Sequence, residues 1–161
     1  MKNLFPIIVF TLSVTCFGQN VTVEDLEMAI GNWEGSITYI DYQSNKPFTM
    51  PANLRVEQGK NAYTMILNNS YPNEPKANSS DKIKMSKDGS FLNKHQVTTR
   101  TKSKNNGVEL QTEHESKDAG KKALIRYTYR IGPEIFMIRK EVQFKAQNNW
   151  LKRSEYSYTR K

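Results

Sequence analysis

The sequence predicts an all-β fold, a single up-and-down antiparallel β-barrel of about 8–10 strands with one short N-terminal helix. Short runs of alternating apolar and polar residues follow one another, separated by clusters of Asn, Gly, Pro, Asp and Lys. When these runs are folded into hairpins about the clusters, the same apolar face persists from strand to strand. Helical periodicity nearly vanishes after residue 30. A meander with one apolar face hides that face, and removes its edge strands, by closing into a barrel.

The first 18 residues are not expected to belong to the barrel. Lys2 precedes the apolar stretch LFPIIVFTLSVTCFG, which ends in small residues and is too short for a comfortable membrane span. This pattern is typical of a bacterial secretory signal cleaved after Gly18, so residues 19–161 would form one domain. An uncleaved anchor and a lipid on Cys16 are the alternatives. We therefore expect an exported protein, periplasmic or secreted, that does not span the membrane.

The cysteine content predicts a domain without disulfide bonds. Cys16 is the single cysteine of the chain and lies within the predicted signal. The domain is then disulfide-free in an oxidising compartment, so a packed core must supply its stability.

The positive charge is concentrated in the last part of the chain. The formal net charge is +8; residues 117–161 carry 12 basic and 4 acidic side chains, whereas residues 19–116 carry 11 and 12. A basic end can face nucleic acid, an anionic glycan or a membrane surface. No nucleic-acid-binding motif is present and exported proteins rarely meet nucleic acid, so we predict no nucleic-acid partner.

A helix is predicted over residues 23–30. Thr22 precedes VEDLEMAI and Asp25 follows three residues later, which is the pattern of a capping box with acidic residues in the first turn. Gly31 ends the helix.

Nine candidate strands follow, joined by turns whose residues predict their pairing. The predicted two-residue turns are Asn45–Lys46, Gly59–Lys60, Asn106–Gly107 and Gly132–Pro133, and Gly89 is expected to be left-handed in a three-residue turn. These turns place Ile37 opposite Leu54, Val56 opposite Tyr63, Arg100 opposite Glu113, Ile125 opposite Lys140, and Met85 beside Phe91. The last run places Trp150, Tyr156 and Tyr158 on one face.

A tryptophan stands between two glycines where the first strand begins. Preceded by a short helix, the stretch GNWEG resembles the Gly-x-Trp element of lipocalins and wider calycin-like barrels, matched by Gly31, Asn32 and Trp33. The resemblance implies that the tryptophan packs across the closed end of the barrel under the N-terminal helix. A large ring beside flexible glycines can plug such an end. The disulfides common in lipocalins are missing, and a core tryptophan of another β-fold is the alternative.

The predicted inner face mixes apolar and polar side chains. Its polar members are Tyr39, Asp41, Asn93, His95, Thr99, Thr101, Thr112, His114, Tyr127, Tyr129 and Lys140. Buried polar groups are costly unless they are paired, so this mixture predicts a water-filled cavity or a ligand. A barrel of this size has room for one small ligand.

The two histidines are the strongest candidates for an acid–base or metal-binding role. His95 and His114 fall on the inner face of adjacent strands, with Asp118 opposite His95 in the Asn-Gly register. A carboxylate beside an imidazole can orient it for acid–base work. A hydrogen-bonded structural histidine, a metal ligand lacking a third partner, and a haem ligand as in nitrobindin-like barrels are the alternatives. No nucleophile motif or glycine-rich phosphate loop is present, and we predict no cofactor and no metal.

We expect a non-enzymatic barrel that binds a small amphipathic or hydrophobic ligand in its interior. The predicted ligand-binding residues are Tyr39, Asn93, His95, His114, Tyr127, Lys140 and Tyr156. The alternative is an interaction module whose basic outer face binds an anionic glycan, an envelope surface or a protein, through Arg126, Arg130, Arg139 and Arg153. Arg126 and Arg139 fall opposite each other in the predicted hairpin, so a nearby glutamate or an anionic partner would have to compensate their charges.

Overall fold

The chain folds into one nearly closed antiparallel β-barrel. The computed structural model describes residues 20–103, 105–145 and 147–161, so the predicted signal with Cys16 lies outside the described residues. The elements are α1 (Val23–Glu27), β1 (Gly31–Ile40), β2 (Pro47–Gln58), β3 (Thr64–Ser70), a 3₁₀ turn (Pro75–Ala77), β4 (Ser79–Lys84), β5 (Phe91–Leu92), β6 (His95–Lys102), β7 (Val108–Asp118), β8 (Lys121–Ile131), β9 (Ile135–Phe144) and β10 (Leu151–Arg160). This architecture confirms the predicted all-β fold. Within the described ranges, no helix has the length and apolarity needed to cross a membrane.

The sheet is a meander whose first and last long strands meet. Its strand order is β4-β3-β2-β1-β10-β9-β8-β7-β6-β5, so β1 pairs with β10 and the seam lies between β4 and β5. At the seam Met85 bridges Leu92. Strand β6 begins at His95, so it pairs with only the first half of β7, which extends to Asp118. Within the described residues, no strand lies between β4 and the second half of β7. We call this the side gap; its border residues are Asp81, Lys82, Asn93 and His95.

Helix α1 begins as predicted and is held by an arginine from the sheet. The Thr22 hydroxyl accepts from the Asp25 backbone N–H at 3.3 Å, and the Asp25 carboxylate accepts from the Thr22 N–H at 2.9 Å. Arg100 of β6 binds both carboxylate oxygens of Asp25, at 2.7 and 2.9 Å. The helix ends at Glu27, earlier than predicted, and a turn continues the chain to β1.

Trp33 plugs the barrel end that α1 covers, which we call the closed end. Its side chain is 1% exposed, and its indole Nε1 donates to the Ala29 carbonyl at 2.8 Å. The Arg160 guanidinium, from the end of β10, lies 4.2 Å from the ring centroid. The same guanidinium donates to the carbonyls of Met28 and Ile30, so it joins the last strand to the chain that follows α1.

The glycine at the start of β1 makes room for this arginine. Gly31 has φ +140°, and a Cβ added there would lie 2.6 Å from Arg160 Nη1. Any side chain would therefore be strained and would displace the guanidinium from Trp33.

Several predicted registers are wrong by an even number of residues. Ile37 lies opposite Met50 rather than Leu54, because residues 41–46 form a longer loop in which the Asp41 carboxylate accepts from the Ser44 N–H. Val56 pairs with Leu67, and Ile125 with Val142. An even shift keeps the same side chains inside, so the predicted inner faces of β1, β2, β3, β8 and β9 survive.

The β4–β5 turn and the start of β10 require separate corrections. Gly89 is left-handed as predicted, with φ +72°. Met85 nevertheless pairs with Leu92, which is buried, while Phe91 points outward and is 43% exposed. Trp150 lies beneath the Arg126 guanidinium, at 3.8 Å from its ring centroid, rather than on the buried face with Tyr158.

A β-bulge changes which side of β6 faces inward. Val97 pairs with Thr112, but the register shifts before Thr99, which pairs with Gln111. The predicted inner positions Thr99 and Thr101 are consequently exposed. Arg100 turns inward instead and reaches Asp25, so its predicted pairing with Glu113 is wrong.

Candidate functional site

A cavity inside the barrel is the candidate functional site. Its volume is about 370 Å³, within the range of small-molecule pockets. Its lining residues come from β2, β3, β4, β8, β9, β10 and the border of the side gap. Three larger depressions contain none of the predicted site residues: two, of about 470 and 590 Å³, lie at the ends of hairpins, and one of about 500 Å³ lies between α1 and the β6–β7 turn.

Four of the seven predicted ligand-binding residues line this cavity. They are Asn93, His95, Tyr127 and Tyr156. The other three lie outside its lining: His114 stacks behind His95, Tyr39 packs on Phe48 with ring centroids 5.4 Å apart, and Lys140 binds Asp118. The lining also includes residues that the predicted site omitted, above all Asp81, Asn69, Tyr129 and Tyr158.

The two histidines form one end of a row of stacked rings across three strands. The His95 and His114 ring centroids are 3.5 Å apart at 8°, and His114 is 6.2 Å from the parallel ring of Tyr127. Tyr129 continues the row at 6.3 Å from Tyr127. The predicted adjacency of His95 and Asp118 is wrong, because the β6–β7 ladder pairs Val97 with Thr112 and the His95 ring stacks on His114.

Two buried polar atoms on the inner side of β7 have no hydrogen-bond partner in the described part of the chain. They are Thr112 Oγ1 and His114 Nδ1. An unpaired buried donor or acceptor costs about 1–3 kcal/mol, but neither Thr112 nor His114 lines the cavity. Burial, with the charges of His95 and Lys140, lowers the pKa of His114 below its ordinary value.

Acidification from about pH 7.5 to 5.5 should destabilise the parent protein more than a His114→Gln variant. The native state keeps His114 neutral, whereas the unfolded chain protonates it near its ordinary pKa of about 6.5. The stability contributed by neutral His114 is therefore complete above that pH and is lost as the pH falls. Urea unfolding at both pH values measures the difference. His95→Gln, which leaves His114 itself in place, should retain most of the loss, and equal losses in parent and His114→Gln would contradict the assignment.

The end of the barrel opposite Trp33, which we call the mouth, is crossed by a buried ionic cluster. Asp118 ends β7, and its side chain is 1% exposed. It accepts from the Tyr42 hydroxyl at 2.7 Å, from Lys140 Nζ at 2.9 Å and from Arg153 Nε at 2.8 Å. Since Tyr42 follows β1, these bonds tie the β1–β2 loop to the far wall of the barrel.

A second β-bulge orients one of these partners. The β9–β10 register shifts between Lys152 and Ser154, which leaves Arg153 in the bulge. Its side chain is only 12% exposed and lies over the Tyr42 ring at 4.9 Å from the centroid. Arg153 thus belongs to the mouth cluster and not to an outer basic face.

The outer arginines pair with glutamates rather than with one another. Arg126 lies opposite Glu113 in one ladder and Glu141 in the other, so its predicted position opposite Arg139 is wrong. The Arg126 guanidinium binds Glu113 at 2.6 Å. The other outer pairs are Arg130 with Glu109 at 2.5 Å and Arg139 with Glu155 at 2.5 Å. The like-charge pair that motivated a basic docking face is thus replaced by ion pairs.

The described residues contain no group of three or more His, Cys, Asp or Glu side chains placed to hold a metal ion. Comparisons with known proteins concern the fold. No family model and no curated protein matches the chain. The crystal structure of Rv2717c from M. tuberculosis is similar to it, with a TM-score of 0.57 over 86% of this chain and 96% of that chain at 10% sequence identity. At this identity the likeness shows a shared fold and nothing further.

Proposed function

We propose that this protein binds a small amphipathic or hydrophobic ligand in the barrel cavity, in the manner of lipocalin-like barrels, and that it acts by binding rather than by catalysis. The observation that carries the proposal is the composition of the cavity wall. Aliphatic and aromatic side chains, among them Ile138, Tyr127 and Tyr156, face polar groups at the side gap such as Asn93 and His95. An apolar cavity with a few convergent polar groups is the usual form of a ligand site.

The access route is the side gap. The closed end is filled by Trp33 beneath α1, and the mouth is crossed by the Asp118 cluster. The four border residues of the side gap, in contrast, all line the cavity. A ligand can therefore enter between β4 and β7 without breaking either the plug or the ion pairs.

A cavity-filling substitution tests this proposal. Ile138 lines the cavity and is half-buried, so Ile138→Trp places a larger ring into the ligand volume. We expect the affinity for N-phenyl-1-naphthylamine, a neutral apolar probe whose fluorescence rises on burial, to fall at least about tenfold. Native mass spectrometry of the purified parent protein would report any ligand already bound.

The matched control is Ile135→Trp on the same strand. Ile135 lies outside the cavity and is 43% exposed, so the same change there should leave probe binding intact. Equal probe affinity in the parent and in correctly folded Ile138→Trp would contradict a ligand site in the cavity.

A further inference from the structure

The charge of the cavity points to a class of ligand. Asp81 and Lys82 are the charged residues that line it. They are neighbours on β4, so their side chains point to opposite faces. Asp81 is the one on the inner face, because its Oδ2 accepts from the Asn69 amide at 3.1 Å and Asn69 is buried. Lys82 accordingly points away from the interior.

The Asp81 carboxylate has spare capacity for a cationic partner. Its Oδ2 accepts from Asn69 and from the Ser79 hydroxyl, while its Oδ1 accepts no hydrogen bond from the described residues. No Lys, Arg or His of the described chain lies within salt-bridge distance of it. Asp81 is exposed at the side gap, whereas the two buried carboxylates of the described residues both carry ion pairs: Asp25 with Arg100, and Asp118 with Lys140 and Arg153.

The interior cations do not offset this charge. Lys140 and Arg153 both bind Asp118 at the mouth, and neither lines the cavity. Lys140, one of the predicted ligand-binding residues, is therefore already paired with Asp118. Among the described residues that line the cavity, Asp81 is the one carboxylate, and the exposed Lys82 lies on the opposite face of β4.

Aromatic faces surround the same space. Tyr127, Tyr129, Tyr156 and Tyr158 line the cavity together with Phe136. The Tyr156 and Tyr158 rings stack with centroids 6.1 Å apart. Burial, the hydrogen bond shared with Tyr71 and the nearby charges of Tyr71 and Asp81 raise the pKa of Tyr156, and Tyr156 and Asp81 line the same cavity. Aromatic faces beside a carboxylate attract ammonium groups.

We propose that the ligand of the cavity is a small organic cation, an amine with an aromatic or aliphatic body, whose ammonium group binds Asp81 at the side gap while the body packs among the tyrosine rings. This inference rests on the proposed function and adds the charge and class of the ligand. The ammonium donates to Asp81 Oδ1, and Asn69 and Ser79 hold the carboxylate through Oδ2.

Three probes with the same phenylethyl body test the proposal on the purified protein: 2-phenylethylamine, 2-phenylethanol and 3-phenylpropionate. Isothermal titration calorimetry should show the amine binding at least about tenfold tighter than the alcohol, and the carboxylate weakest. Asp81→Asn should remove the preference for the amine. Glu134→Gln, the same change in an exposed turn at the closed end, should keep it.

Salt provides a readout that needs no variant. Raising NaCl to about 0.5 M should weaken binding of the amine but not of the alcohol, because screening acts on the charge. Equal affinities for the amine and the alcohol, or an unchanged amine affinity in folded Asp81→Asn, would overturn the cationic class. If N-phenyl-1-naphthylamine still binds and Ile138→Trp blocks it, the cavity remains a ligand site of another class; if no probe binds, both proposals are wrong.

Discussion

Trp33→Ala should lower the free energy of unfolding by about 3–5 kcal/mol, the usual cost of truncating a buried tryptophan. The ring is 1% exposed and packs on Phe136 with centroids 5.8 Å apart. Its loss leaves a cavity at the closed end and deprives the buried Ala29 carbonyl of its donor. It also removes the surface on which Arg160 lies. Such a loss is a large share of the stability of a domain this small, so a much lower melting temperature should follow.

Trp150→Ala is the matched control, because it deletes the same side chain at a different place. Trp150 is half-buried, and its contact with Arg126 is a cation–π interaction. We expect a cost of about 1 kcal/mol there. Urea unfolding followed by circular dichroism measures both variants. If the midpoint of Trp33→Ala equalled that of the parent, Trp33 would not be the plug of the barrel.

Asp118→Asn should cost about 3 kcal/mol, the low end of the range for removing one partner of a buried ion pair. The substitution leaves Arg153, 12% exposed, and Lys140, 25% exposed, without their counter-charge at the mouth. Their partial contact with water keeps the cost at the low end. Glu115→Gln on the same strand is exposed and should change stability by less than about 0.5 kcal/mol.

The pH dependence of this effect identifies its cause. Burial by itself would raise the pKa of Asp118, but the hydrogen bonds from Lys140 and Tyr42 and the charges of Lys140 and Arg153 outweigh it, and the pKa is lowered. The stability that the carboxylate contributes is therefore complete above its unfolded pKa of about 3.9 and is lost as the pH falls through the lower native value. The difference between parent and Asp118→Asn in urea should shrink from pH 7 to pH 3. A constant difference would point to lost packing instead of lost charge.

Local chemistry in the sequence was sufficient to predict much of this fold. The Thr22–Asp25 capping box and the left-handed Gly89 depend on residues that are near in sequence, whereas the plug at Trp33 was implied by the resemblance of GNWEG to the Gly-x-Trp element. The side-chain period of two also predicted which residues of β1, β2, β3, β8 and β9 face inward. This prediction was correct although the predicted turn positions were wrong, because an even register shift leaves the same side chains on the inner face.

The candidate site was predictable only in part. Tyr127, Tyr156 and His95 line the cavity because strand alternation directs them inward, whereas Asn93 lines it from the β5–β6 turn. Asp81 was not predicted from the sequence, because β4 follows a long irregular segment and has little alternation of apolar and polar residues. The inward-facing side chains of β4 could therefore not be predicted. The role of Asp81 also depends on the absence of a strand across the side gap, which is a property of the closed sheet and not of β4 itself.

The tertiary structure alone decided the two β-bulges and the contacts that they create. A bulge inserts one extra residue into a strand, and the residue types of the strand do not reveal where. No local sequence pattern therefore predicts it. The bulge in β6 turns Arg100 onto Asp25, and the bulge in β10 brings Arg153 onto Asp118. Each contact joins residues at least 35 positions apart. Alternation along a strand determines which side chains face inward. Only closure of the barrel determines which charged side chains form contacts at its two ends.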